Sequence, residues 1–284
     1  CCKKLTAERI IGAREPTPLV LTNQPETNLM KALSKTELAA MNNRSVYSNR
    51  VKSISEGMAK SERLIKKSTN IKLGKWVTKG KWKGFPILTL TLEERATCPK
   101  SCAHWFDCYG NNMMFATRYN AGPDLEAMLE TELTALQTKY PSGFLVRLHI
   151  LGDFYSVGYV AKWAKWLGMF PALHVYGYTA NQPNALEANE KAIGLALLSL
   201  SENCPTRWAV RFSGNFDRAS MTALSNDDSR SVELVEAKGA FLCPTQISKE
   251  TGRYAAKGEE TLVPDCGACG LCWTASKPVV FITH

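Results

Sequence analysis

Three cysteines fall within eleven residues, Cys98-x3-Cys102-x5-Cys108, directly after a run, Phe85–Thr91, that reads as a buried strand. A second group stands near the end of the chain: Cys243-Pro244, then Cys266-x2-Cys269-x2-Cys272. Seven of the ten cysteines belong to these two groups. Disulfide frameworks are mostly a device of short secreted chains. A chain of 284 residues with bunched cysteines at ligand-like spacing points to metal instead. Thiolates are the usual ligands of iron–sulfur clusters and also serve zinc. Three close cysteines can hold three irons of a 4Fe–4S cube and leave the fourth open to a substrate, whereas a fully ligated cube transfers electrons or holds structure. The first group is therefore read as catalytic.

The net charge of +9 is unevenly placed. Residues 1–97 hold 19 Lys/Arg against 8 Asp/Glu, and the remainder is close to balance. A basic region of this kind suits a polyanion, so nucleic acid or a nucleotide is the expected partner. Residues 28–41 and 43–67 read as two helices, and 1–84 as a basic, mainly helical extension. The stretch from Lys72 to Gly84 interleaves lysines with Trp76 and Trp82. It either grips a phosphate backbone and stacks on bases, or forms a hairpin whose tryptophans pack on the core. No run approaches the ~18 apolar residues of a membrane span, and no signal peptide is legible. The expectation is a soluble, cytoplasmic protein with no membrane partner.

From Phe85 onward strands alternate with helices. The expected strands are 85–91, 144–151, 173–178, 207–212 and 239–242, with helices over 111–119, 123–139, 157–169 and 183–200 between them. Such alternation predicts an α/β fold with parallel strands, either open or curled into a partial (β/α) barrel over 85–246. A Cys-rich segment, 247–284, follows. In such folds chemistry gathers at the carboxyl ends of strands. Cys98, Gly152-Asp153, Tyr178-Thr179, Ser213, Asn215 and Cys243 all fall there. Strand alternation puts Arg147 and His149 on one face of the second strand and Arg211 and Ser213 on one face of the fourth. Strands buried on both faces are apolar throughout, so these residues imply a polar interior with an anionic occupant, or a solvated face with ion pairs. Asp153, His149 and Arg211 are the candidate catalytic residues. Asp153 can act as a general base or cap the next helix. His104, Asp107 and Tyr109 can tune a cluster by hydrogen bonds, or His104 can be its fourth ligand.

The three-cysteine loop after the first strand resembles the radical SAM superfamily, as does the aromatic Tyr109 beside Cys108. That resemblance implies a partial (β/α)6 barrel and reductive cleavage of S-adenosylmethionine to a 5′-deoxyadenosyl radical, with an external electron donor. It places Gly152 and Asp153 where the superfamily holds the amino group of S-adenosylmethionine, and Ser213 and Asn215 where it meets the ribose. The x5 spacing to Cys108 departs from the usual C-x3-C-x2-C. The segments Leu90–Pro99, Leu151–Ser156 and Cys269–Trp273 also resemble an uncharacterised group of phage and bacterial radical-SAM-like proteins. Cys243, Cys266, Cys269 and Cys272 resemble ferredoxin spacing and suit an auxiliary 4Fe–4S cluster, with zinc as the alternative. The two groups hold a cluster each or converge on one. Cys204 reads as a buried thiol, and Cys1 and Cys2 carry no role.

Overall fold

Apolar alternation builds the sheet, and well-capped helices return the chain across it. A computed structural model describes residues 33–54, 62–70, 72–214, 218–226, 239–244 and 264–282, all within one compact unit, Leu33–His284. The chain opens with α1 (Lys35–Met41), whose N-terminus is closed by a capping box between Ser34 and Glu37. Then come β1 (Val51–Lys52), β2 (Lys66–Lys67), β3 (Ile87–Thr89) and β4 (Arg118–Tyr119). The core follows as α2 (Pro123–Lys139), β5 (Phe144–Leu148), α3 (Val157–Met169), β6 (Leu173–Thr179), α4 (Ala188–Asn203), β7 (Trp208–Ser213) and β8 (Thr222–Asn226). The chain ends with β9 (Phe241–Leu242), two one-turn helices, α5 (Cys266–Cys269) and α6 (Leu271–Thr274), and β10 (Val279–Ile282).

Proline at the first turn suits α2, because its missing N–H has no partner there. Ser156 caps α3 by accepting the Tyr159 N–H, and Glu187 caps α4 by accepting two N–H groups.

The fold is α/β, built on an eight-stranded sheet in the order β2-β3-β5-β6-β7-β8-β10-β9. All its pairings are parallel except β2 with β3. The sheet is open, with β2 and β9 as its edges. Helices α2, α3 and α4 pack on one face against Leu88, Val146, Leu148, Val175, Val210 and Phe212. On the other face Leu145, Tyr176 and Ile87 meet Val77, Trp82 and Trp273. Both faces are therefore covered, one by helices and one by two loop segments. Among the described residues, no helix is long and apolar enough to cross a membrane.

Two expectations are corrected here. Residues 43–67 do not form a helix where they are described: a single 3-10 turn, Ser48–Arg50, is followed by β1. The cause is tertiary, since the Ser45 N–H and the Arg44 side chain are both taken by Glu93. The helix over 111–119 is replaced by a 3-10 turn at Tyr109–Asn112 and by β4, which pairs with β1. Within 33–84 and 247–284, β2 and β10 are strands of the same eight-stranded sheet.

Candidate metal centres

The first cysteine group sits on a loop that leaves the sheet after β3 and returns at β4. Its base is a buried ion pair, Arg118 Nε to Glu94 Oε2 at 2.7 Å, with both side chains about fully enclosed. Arg118 also donates to the carbonyls of Gly110, Met113 and Ala116, and Glu94 accepts the Ser45 hydroxyl. Arg95, at a positive φ of 63°, donates to the Trp105 carbonyl and to Asn111. These contacts bend the chain so that the charges of Cys102 and Cys108 reach Cys98. Burial pushes all three thiols up, Cys102 to about 11. A backbone N–H opposes burial at each: Arg95 at Cys98, His104 at Cys102 and Gly110 at Cys108.

Asp153, after β5, raises Cys98 and Cys102 further by its charge. Its carboxylate accepts the Phe154 N–H, the Ala180 N–H and the Thr179 hydroxyl. Burial nonetheless lifts its pKa to about 6. Gly152 has a φ of 81°, and a Cβ there would lie 2.6 Å from Thr97 Oγ1. This glycine lets the β5 loop close on the cysteine loop, where Thr97 Oγ1 accepts the Asp153 N–H.

The second group sits on the sheet's other face. Gly270, at a φ of 69°, reverses the chain between α5 and α6. Cys243, Cys266, Cys269 and Cys272 thereby line one cavity of about 10 Å3, with Pro244, Trp273 and Val279. Arg211 holds this turn from β7. It donates to five carbonyls: Cys272, Thr222, Lys277, Leu271 and Ala275. The Tyr178 hydroxyl donates to Cys272 Sγ at 2.6 Å. The Arg147 guanidinium stacks 4.4 Å from the Tyr178 ring centroid and 5.4 Å from that of Tyr176. Burial raises the Cys272 thiol to about 11, while Tyr178, Arg147 and Arg211 pull it down. One strand serves both groups, since Thr179 donates to Asp153 and its neighbour Tyr178 to Cys272.

Cys98, Cys102, Cys108, Cys266, Cys269 and Cys272 are free thiols. Among the described residues, no three His, Cys, Asp or Glu side chains are close enough to hold a single metal ion. The donors are thiols, favoured as thiolates by backbone N–H groups at Cys98, Cys102 and Cys108 and by Arg147 and Arg211 at Cys272.

The other sequence-predicted residues fall elsewhere. His149 does not share the face of Arg147. The strand ends at Leu148, and His149 packs on the helical side against Phe154 and Tyr159, 3.2 Å from the Tyr159 hydroxyl. Its burial lowers its pKa to about 3, which leaves it a neutral core side chain. Arg211 spends its donors on carbonyls and serves as a brace. Ser213 is exposed at the end of β7, with its carbonyl taken by Gln182. Asn215 lies outside the described residues. Tyr109 is 48% exposed beside Cys108. His104 pairs with Asp107 at 3.2 Å on the surface. Cys204 caps the end of α4 and packs partly buried against the core. Arg118 carried no signal in the sequence, because its partners are set by a loop path that no periodicity encodes.

Two phage proteins are similar to this chain. A Gene 88 protein of Mycobacterium phage D29 is 27% identical over 139 residues, 49% of this chain and 55% of that protein. The Gene 88 protein of Mycobacterium phage L5 is 25% identical over 142 residues, 49% of this chain and 54% of that protein. The chain thus spans about half the length of the curated relatives it matches. No solved structure matches it. The family described as Gene product 88 matches residues 57–275, a span that takes in both cysteine groups, and the chain belongs to that family.

Proposed function

We propose that this protein is an iron–sulfur enzyme of radical-SAM-like type that acts on a nucleic acid or nucleotide. The observation that carries the reading is one loop after the first parallel strand of the core that carries Cys98, Cys102 and Cys108, with the charge of Asp153 felt at Cys98 and Cys102. Three thiols, each met by a backbone N–H, suit a cluster that leaves one iron open. Bound there, a 4Fe–4S cluster supplies single electrons and an open coordination position, the chemistry that cleaves S-adenosylmethionine. The sequential order β3-β5-β6-β7-β8, with α2, α3 and α4 on one face, fits a partial (β/α) barrel. Cys243, Cys266, Cys269 and Cys272 would hold an auxiliary cluster, its negative charge balanced by Arg147 and Arg211. Zinc fits these four less well, because it more often takes two C-x2-C pairs than three evenly spaced cysteines. Free thiols in such number suit a reducing cytoplasm.

A second reading is favoured by one observation. The Asp153 carboxylate already accepts three protein donors, which leaves it little capacity for the amino group of S-adenosylmethionine. In that reading the open iron acts without S-adenosylmethionine.

Anaerobically purified protein tests both. The expected result is iron and sulfide in both groups and an electron paramagnetic resonance spectrum that changes when S-adenosylmethionine is added, with 5′-deoxyadenosine released under reduction. Iron without any response to S-adenosylmethionine selects the second reading. Zinc in place of iron overturns both.

A further inference from the structure

The basic stretch from Lys72 to Gly84 divides in the fold. Trp82 is core, 8% exposed and stacked on Trp273 at 5.7 Å. Trp76 instead stays 42% exposed and stands edge-on to Tyr140 at 6.4 Å. A lysine lies over each ring, Lys67 Nζ at 5.2 Å from the Trp76 centroid and Lys139 Nζ at 5.4 Å from that of Tyr140. Beside Tyr140 opens a cleft of about 320 Å3, lined among others by Lys83, Phe85, Lys139 and Ser142. These residues precede β3 and β5, so the cleft lies at the amino edge of the sheet, away from the Cys98 loop. Lys67, Lys75, Lys79, Lys83 and Lys139 are exposed, and none has a carboxylate partner among the described residues.

We infer that this cleft and the Trp76–Tyr140 pair bind single-stranded nucleic acid, with phosphates on the lysines and an unpaired base against Trp76. The inference rests on the proposed nucleic-acid substrate and deepens it by naming a tethering surface apart from the Cys98 loop. Cations without carboxylates select a polyanion. Exposed aromatic surface beside them selects unpaired bases, because a duplex hides its base faces. The platform is also preorganised. The Trp76 backbone abuts Gly267, where an added Cβ would lie 2.0 Å from the Trp76 carbonyl oxygen. The Thr78 N–H donates to the Gly267 carbonyl, and the Val77 N–H to that of Phe85. A strand bound at Trp76 therefore lies next to the turn that carries Cys266.

Fluorescence anisotropy with labelled oligodeoxythymidine, over a range of potassium chloride, tests it on the full chain. Trp76→Ala should weaken binding about 5- to 150-fold, the range for removing one base-stacking ring. The pair Lys83→Glu with Lys139→Glu should weaken it at least about tenfold and flatten the salt slope by about 1.4, at 0.7 for each phosphate no longer neutralised. All these residues are exposed or at the cleft rim, so circular dichroism and iron content should match the parent. Unchanged affinity in both variants overturns the inference. So does a parent that prefers duplex with Trp76→Ala neutral, or that binds anionic lipid vesicles and no nucleic acid. Iron content and 5′-deoxyadenosine release, measured on the same preparation, report on the enzyme reading independently.

Discussion

Cys98 and Cys102 share their corner of the fold with the carboxylate of Asp153, whereas Cys266 and Cys272 share theirs with Arg147 and Arg211. Both groups are half-buried, and desolvation alone raises every one of these four thiols. The neighbours then act in opposite directions: Asp153 penalises negative charge at the first group, and the arginines favour it at the second. The supports differ in the same way. The first loop is tied by an internal ion pair, Glu94–Arg118, and by backbone N–H groups. The second is tied to the sheet by one arginine that reaches five carbonyls. With the proposed clusters bound, a site that resists added charge would suit a strong reductant, and a site that compensates it would suit a store held at higher potential.

The comparison breaks most sharply at the braces. Arg118→Met strands Glu94 with its side chain 1% exposed and should cost roughly 3–5 kcal/mol. Denaturant unfolding should show this, with Cys108 becoming reactive to a thiol reagent while Cys272 stays protected. Arg211→Met leaves five carbonyls short of their donor and should cost about 2–4 kcal/mol, with Cys272 now the reactive thiol. If either variant exposes both groups equally, the two sites are one cooperative unit and the contrast between them fails.

The loop that carries Cys98, Cys102 and Cys108 after a strand was legible, because the apolar run before it is a local property of sequence. So were α2 and α3, whose periodicity and first turns predict the ranges observed. The supports were not legible. Arg118 reads as part of a helix by local pattern, but its carboxylate partner and three carbonyls hold it in β4 instead. β10 is a plain apolar run, Val279–Ile282, yet its place between β8 and β9 depends on pairing with strands far back in the chain. His149 was expected on the face of Arg147 because the strand was expected to run to 151, three residues past the end of β5. In each case the missing information is long-range, and periodicity holds none of it.

His149 gives a smaller effect that belongs to neither site. Its folded pKa, near 3, lies below the ordinary 6.5, so the unfolded chain binds the extra proton between those values. Stability from this residue is therefore complete above about pH 6.5 and is lost as pH falls toward 3, by up to a few kcal/mol. His149→Phe should flatten the fall in unfolding free energy across that window. An unflattened fall would assign the acid sensitivity to the carboxylates, Asp153 excepted, since its raised pKa acts in the opposite sense.

The smallest change sharpens the comparison most directly. Tyr178→Phe removes one hydroxyl and leaves the ring on which Arg147 stacks. The missing hydrogen bond to Cys272 should cost about 1 kcal/mol of thiolate stabilisation. In the apoprotein the Cys272 thiol should then titrate higher, seen in the pH dependence of its alkylation rate, with Cys102 unaffected. In the iron-loaded protein the C-terminal potential should move negative by on the order of tens of millivolts, because the more negative reduced state loses more than the oxidised one. A potential that does not move, with the alkylation profile shifted as expected, would show that Tyr178 touches the thiol without touching the redox centre. The contrast between the sites would then rest on Arg147 and Arg211 alone.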